Sequence, residues 1–102
     1  MVDEYRVSSK PFDAGIPDKK LLFEFNGTYW HLDPRIYEPT FYDNSRKMYA
    51  WQIWRKDSMK IMDAIKNGYR VISVWQMDWD SCDNKQKYIR EAINGTNPRT
   101  EN

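Results

Sequence analysis

The run Leu21-Leu22-Phe23-Glu24-Phe25, closed by Asn26-Gly27, is the feature that most restricts how this chain can fold. Neighbouring side chains of a strand point to opposite faces, so a nearly continuous apolar run demands cover on both sides of its sheet. Just upstream, Phe12, Ala14 and Ile16 alternate with Asp13 and Gly15 as in a half-buried strand, and Pro17-Asp18-Lys19-Lys20 is a turn signal. The two segments predict a hairpin with Leu21–Phe25 as a central strand.

A second β-branched run, Tyr69 to Trp75, sets Val71, Ser73 and Trp75 on one side and Arg70, Ile72 and Val74 on the other. The spacing between the two runs predicts a loop over 28–42, punctuated by Pro34 and Pro39, and then a long helix. Asp43, Asn44 or Ser45 can cap that helix, and Trp51, Trp54, Ser58, Ile61, Met62 and Ile65 recur at helical spacing. Asn67-Gly68 stops it, with Gly68 suited to a left-handed C-terminal residue. A last helix capped by Asp80 or Ser81 carries Tyr88, Ile89, Ala92 and Ile93 and ends at Gly95. Residues 1–10 read as a short edge strand around Tyr5-Arg6-Val7 or as a flexible lead-in, and residues 96–102 as a flexible tail. A helix between strands implies a crossover connection in a mixed sheet. The expectation is one α/β domain over 1–102, a small mixed sheet flanked by helices.

Composition narrows the partners. Sixteen Lys and Arg against fifteen Asp and Glu give a net charge of +1, short of the basic excess of a pure phosphate-binding module. The single cysteine, Cys82, excludes an internal disulfide and a cysteine-based zinc finger and fits a reducing, intracellular setting. No apolar run approaches the roughly 20 residues of a membrane span, and the segment MVDEYRVSSK has no signal-peptide core. Five Trp, seven Tyr and four Phe are more rings than so small a core readily buries, which points to an aromatic contact surface.

Asp13 lies inside the first hairpin strand and Glu24 near the end of the second, so adjacent antiparallel strands bring them within cross-strand reach. Two converging carboxylates suit Mg²⁺, which takes hard oxygen ligands and keeps several waters, and the Phe25 carbonyl offers another oxygen. His31, the only histidine, follows the strand and can act as base or acid near neutral pH. Each residue also has a plainer reading. Asp13 can be a solvated strand residue and His31 a structural one. Glu24 resists this, because a carboxylate interrupting an apolar run is costly unless paired or metal-bound.

The segment EFNGTYWH (24–31) resembles the signature of very-short-patch-repair-type endonucleases and related phage and homing nucleases, within the restriction-endonuclease-like superfamily. The preceding FDAGIPDKKLLFEFNG is similar to their Asp, Pro-turn and apolar strand ending in Glu-x-Asn/Asp-Gly. The later KNGYRVISVWQMDW resembles their strand after a long basic helix. The resemblance spans about residues 11–95. It implies a restriction-endonuclease-like core and a metal-dependent DNA endonuclease or nickase, using Mg²⁺ or Mn²⁺ on double-stranded DNA in the cytoplasm of a bacterial or phage-infected cell. Asp13, Glu24 and the Phe25 carbonyl would hold the metal, and His31 would stand near the scissile phosphate. Asn26 would occupy the catalytic position where many relatives of the wider superfamily carry Lys. Tyr29 and Trp30 correspond to aromatics that wedge between base pairs; loop packing is the other reading for both. Arg46, Lys47, Arg55, Lys56 and Lys60, read as lying along the long helix, are candidate phosphate contacts, Lys56 foremost. A solvated helix face is the plainer account of most of them, and Trp51 and Trp54 read as core.

The chain departs from the family in three ways. The family's opening helix, with its further acidic residue, has no counterpart before Pro11. Gln76 stands where the family often reads Trp-Glu, and ligands for the structural zinc of some members are missing. These departures leave open a catalytically inactive DNA-binding module on the same fold. A protein-interaction domain using the exposed aromatics is a third reading, while an HNH-type nuclease is disfavoured by the single histidine.

Overall fold

The computed structural model describes residues 2–95. Its elements run β1 (Val2–Val7), β2 (Lys10–Ile16), β3 (Leu21–Asn26), β4 (Tyr42–Asp43), β5 (Met48–Tyr49), α1 (Ala50–Lys66), β6 (Arg70–Trp75), α2 (Gln76–Asp80) and α3 (Lys85–Ile93). The main sheet has four strands in the order β1-β2-β3-β6. β1, β2 and β3 are antiparallel in sequence, and β6 joins β3 in parallel with Leu21 opposite Arg70 and Asn26 opposite Trp75. The chain is thus a mixed α/β fold in which α1 provides the crossover that a parallel pair requires. No described helix is long and apolar enough to cross a membrane.

Alternation along β3 and β6 builds two cores on opposite faces of the sheet. Leu21, Phe23, Ile72 and Val74 pack with Ala14 and Ala92 under α3, with Tyr88, Ile89 and Trp79 around them. Leu22 and Val71 pack with Val7, Phe12 and Ala64 under α1. A third cluster of Leu32, Ala50 and Ile53 ties the long loop to the start of α1. The hairpin, the central strand, the crossover and the left-handed Gly68 (φ +89°) all follow the sequence expectation.

Other boundaries differ from it. Of the two readings of residues 1–10, the edge strand is the one found: β1 is joined to β2 by Ser8-Ser9 with both φ positive, the pattern of a tight hairpin turn. The flexible tail expected over 96–102 lies outside the described residues. The long helix starts at Ala50, not after Asp43–Ser45, because the carbonyls of Phe41 and Pro39 accept from the Ala50 and Trp51 amides and so satisfy its first turn. Asp43 instead accepts from the Ser45 amide and hydroxyl and from Arg46, forming the β4–β5 turn. Those bonds, Ser45's first and then Arg46's, hold its carboxyl down at about 2. This start also sets the helix phase. Ala50, Ile53 and Ala64 are buried, whereas Trp51 and Met62, expected inside, are exposed. The last helix is capped by Asn84, which accepts from the Lys87 amide, instead of by Asp80 or Ser81.

One strand breaks its own alternation. Phe12 packs on the α1 face and Ala14 on the α3 face, although they are two residues apart. The β1–β2 ladder pairs Asp3 with Ala14 and Tyr5 with Phe12 but skips Glu4 and Asp13, and Glu4 sits at φ +50°. A left-handed residue in the edge strand twists the ladder there, and the distortion falls on Asp13. Two residues on, the twisted ladder is close-packed, since a Cβ at Gly15 would come within 2.8 Å of the Tyr5 ring.

Candidate functional site

The β2–β3 pairing ends at Ala14–Phe23, so Phe25 lacks a backbone acceptor from β2. The Asp13 side chain supplies it, its Oδ2 accepting from the Phe25 amide at 2.6 Å. The N–H and C=O of one strand residue face the same edge, which puts the Phe25 carbonyl on the Asp13 side of β3. Glu24, next along the strand, points to the α1 face, where the Lys60 ammonium meets its Oε2. Burial pushes the Glu24 carboxyl above its ordinary value of 4.5; Lys60 pulls it down and the nearby Asp13 carboxylate pushes it up. The Lys60 ammonium also lies 4.4 Å from the centre of the Phe12 ring, a cation–π distance.

His31 is fixed by the loop after β3. Its amide donates to the Gly27 carbonyl and that of Asp33 to the Thr28 carbonyl. Leu32 between them takes φ +52° with its side chain fully buried, and its carbonyl accepts from the Trp54 indole at 2.7 Å. A left-handed bulky residue is unfavourable by about 1–2 kcal/mol, so burial and the Trp54 bond hold it there. Gln76 accepts from the Thr28 amide and pins the loop's other end. His31 Nδ1 meets Asp57 Oδ2 at 2.9 Å. With a proton on Nδ1, the neutral ring keeps its basic lone pair on Nε2.

Asp13, Glu24, Phe25, Trp30, His31 and Lys60 line one open cleft of about 630 Å³. The acids of the two hairpin strands and the single imidazole therefore share a site. Asp13 and Glu24 with the Phe25 carbonyl are hard oxygen donors, the kind that holds Mg²⁺ through one or two carboxylates with waters and substrate oxygens completing the shell. Among the described residues, no group of three or more His, Cys, Asp or Glu side chains stands close enough to hold a metal ion by itself.

Apart from Trp30 and Lys60 in this cleft, the other sequence candidates are dispersed. Asn26 is buried on the face of Glu24 but lines a neighbouring cavity. Tyr29 and Trp30 are exposed, and Arg46 stacks 4.8 Å from the Trp30 ring while donating to the Trp30 carbonyl. Arg46 and Lys47 stand on the β4–β5 side instead of along α1, Arg46 because Asp43 holds it and Lys47 at φ +54°. Lys56 is exposed on α1 and shares a basic cleft with Lys10, Arg55 and Lys60. That cleft joins the first one at Lys60 and Pro11.

Sequence reasoning missed Asp57 as the partner of His31 and Lys60 as the partner of Glu24. Both sit on the inward stripe of α1 formed by Ile53, Asp57, Lys60 or Ile61, and Ala64. A charge at such a position was the available signal, hidden while the helix phase was drawn through Ser58 and Met62. Compared with protein-family models, curated proteins and solved structures, the chain matches none.

Proposed function

We propose that this chain is a metal-dependent DNA endonuclease or nickase on a restriction-endonuclease-like core, acting in the cytoplasm of a bacterial or phage-infected cell. The observation that carries this reading is the convergence of Asp13, Glu24 and His31, with Lys60, on one cleft. A divalent ion such as Mg²⁺ or Mn²⁺, when bound by Asp13, Glu24 and the Phe25 carbonyl, supplies positive charge to a phosphodiester and makes a bound water more acidic. The remaining roles belong to the chain itself. Lys60 offers a cation beside the phosphate, the role that Asn26 cannot fill from the strand. His31, oriented by Asp57, exchanges a proton through Nε2. Trp30, backed by Arg46, and Tyr29 present flat faces to bases, and Lys10, Arg55 and Lys56 attract the phosphate backbone.

The test is incubation of the purified chain with supercoiled plasmid in Mg²⁺, Mn²⁺ or EDTA. Nicking is expected with either ion and not in EDTA, and Asp13→Ala and His31→Ala should each lower it about 100-fold or more. Parental rates in both variants would overturn the assignment. A second reading, a DNA-binding module without cleavage, is favoured by the partners that both carboxylates already have: Lys60 on Glu24 and the Phe25 amide on Asp13. It requires salt-sensitive DNA binding with no nicking in any divalent ion.

A further inference from the structure

Behind Glu24 lies a second cavity of about 250 Å³ between β3, β6 and α1, which the nuclease reading leaves unused. Its lining includes the Trp54 and Trp75 indoles, Asn26, Ser73 and the carboxylates of Glu24 and Asp57. Ser73 is fully buried, and its hydroxyl has no hydrogen-bond partner among the described residues. A buried polar atom without a partner is uncommon in folded proteins and calls for a reason. Here the atom belongs to a cavity wall that combines hydrogen-bonding residues and two indoles with the aliphatic Pro34 and Ile61.

The size and chemistry restrict the occupant. The volume is far above the roughly 30 Å³ share of one water. It falls just under the ~300 Å³ at which pockets begin to take drug-sized molecules. One planar ring system is the fitting scale. Two carboxylates disfavour an anion and ask for N–H donors, while the Asn26 carboxamide and the Ser73 hydroxyl can each both donate and accept. Indoles are stacking surfaces for such a ring. Glu24 lines both this cavity and the cleft, and Asp57 joins them through His31.

We propose that this cavity receives one unpaired, amino-bearing nucleobase, cytosine or adenine, extruded from the strand whose phosphate lies in the cleft. The exocyclic amine of either base donates to a carboxylate, and the adjacent ring nitrogen accepts from Asn26 or Ser73. Thymine presents a carbonyl where the amine would be, facing the carboxylates, and is disfavoured. Extrusion costs least where the base is already mismatched or unpaired, so the pocket selects damaged or bulged sites. The inference rests on the nuclease reading for the strand, but the cavity's chemistry does not require cleavage.

The test is a titration of ¹⁵N-labelled protein, without metal, by cytidine, adenosine and thymidine, following the indole N–H signals by nuclear magnetic resonance. Cytidine and adenosine should shift Trp54 and Trp75 saturably, with thymidine about fivefold weaker or more. Ser73→Ala, which removes only the unpartnered hydroxyl, should weaken cytidine by about fivefold with the spectrum otherwise native. A duplex with one unpaired cytosine should bind more tightly than the fully paired duplex, separating a strand-borne base from a free nucleoside. Equal shifts by all three nucleosides, shifts confined to the exposed Trp30 and Trp51, or unchanged affinity in Ser73→Ala would overturn the pocket. Equal binding of the two duplexes would overturn the extruded base. Loss of these effects with plasmid nicking retained removes the pocket alone; their persistence without nicking removes the nuclease reading alone.

Discussion

On the α3 side of the sheet, β3 and β6 contribute Leu21, Phe23, Ile72 and Val74, and α3 closes over them with Ala92, Ile89 and Ile93. On the α1 side the same strands begin alike, with Leu22 and Val71, and then present Glu24, Asn26 and Ser73. The first face is an apolar core from Leu21 to Phe23 and from Ile72 to Val74. The second is apolar only where the strands start and turns polar toward their C-terminal ends. β3 and β6 are parallel, so both polar ends fall together, at the edge of a parallel pair where ligands collect in open α/β sheets. α1 matches the change, opposing Ala64 to the apolar half and Lys60 and Asp57 to the polar half, with Ile61 reaching both. One helix thus serves as core and as wall of the candidate site, while α3 serves as core alone.

This contrast can be broken most forcefully on the α3 side. Phe23→Ala should cost about 3–5 kcal/mol of stability, read from the denaturant midpoint, yet leave DNA affinity unchanged once the protein is folded. A loss under about 1 kcal/mol would mean that this face is not the principal core.

On the polar half, Lys60→Met should cost less, about 1–3 kcal/mol, by leaving the Glu24 carboxylate without its cation. It should also alter the pH dependence. Burial raises the Glu24 carboxyl and Lys60 opposes the rise, so removing Lys60 lets it climb further. A carboxyl raised in the fold keeps a proton that the unfolded chain has released, so its contribution is fully present below the ordinary value of 4.5 and lost as pH rises through the folded one. Between pH 4 and 8 the variant should therefore lose more melting temperature than the parent. Parallel melting curves would mean that Lys60 does not govern Glu24.

The smallest effect belongs to Ser73→Ala, which should change stability by no more than about 0.5 kcal/mol. A buried hydroxyl without a partner contributes no bond to lose. A larger loss would show that Ser73 is bonded in solution and would close the polar half into ordinary core.

Much of this was legible because it is local. The Pro17 turn between two apolar segments wrote the hairpin, the β-branched run wrote β6, and the helical stretch between the strands wrote the crossover. Asp13, Glu24 and His31 were legible as residue types that do chemistry near strand ends. Asp57 was not, nor was the pairing of Lys60, read only as a candidate phosphate contact, with Glu24, because both depend on the rotation of α1. That rotation is fixed by the Pro39 and Phe41 carbonyls at its first turn, a loop contact with no periodic signature. Arg46 likewise looked like a free helical cation until Asp43 and Trp30 held it.

The amino-acid sequence by itself determined the order β2, β3, α1, β6 and α3, the two-sided burial of β3 and the few residues able to handle protons or a hard cation, since these follow from side-chain type and short-range spacing; β4, β5 and α2 carried no such pattern. Tertiary structure alone decided that Asp13 turns into the sheet edge to take the Phe25 amide, that Lys60 meets Glu24, and that Asp57 holds His31. Each of these contacts joins separate elements of the chain, and its geometry is set by packing between them, which no local pattern encodes.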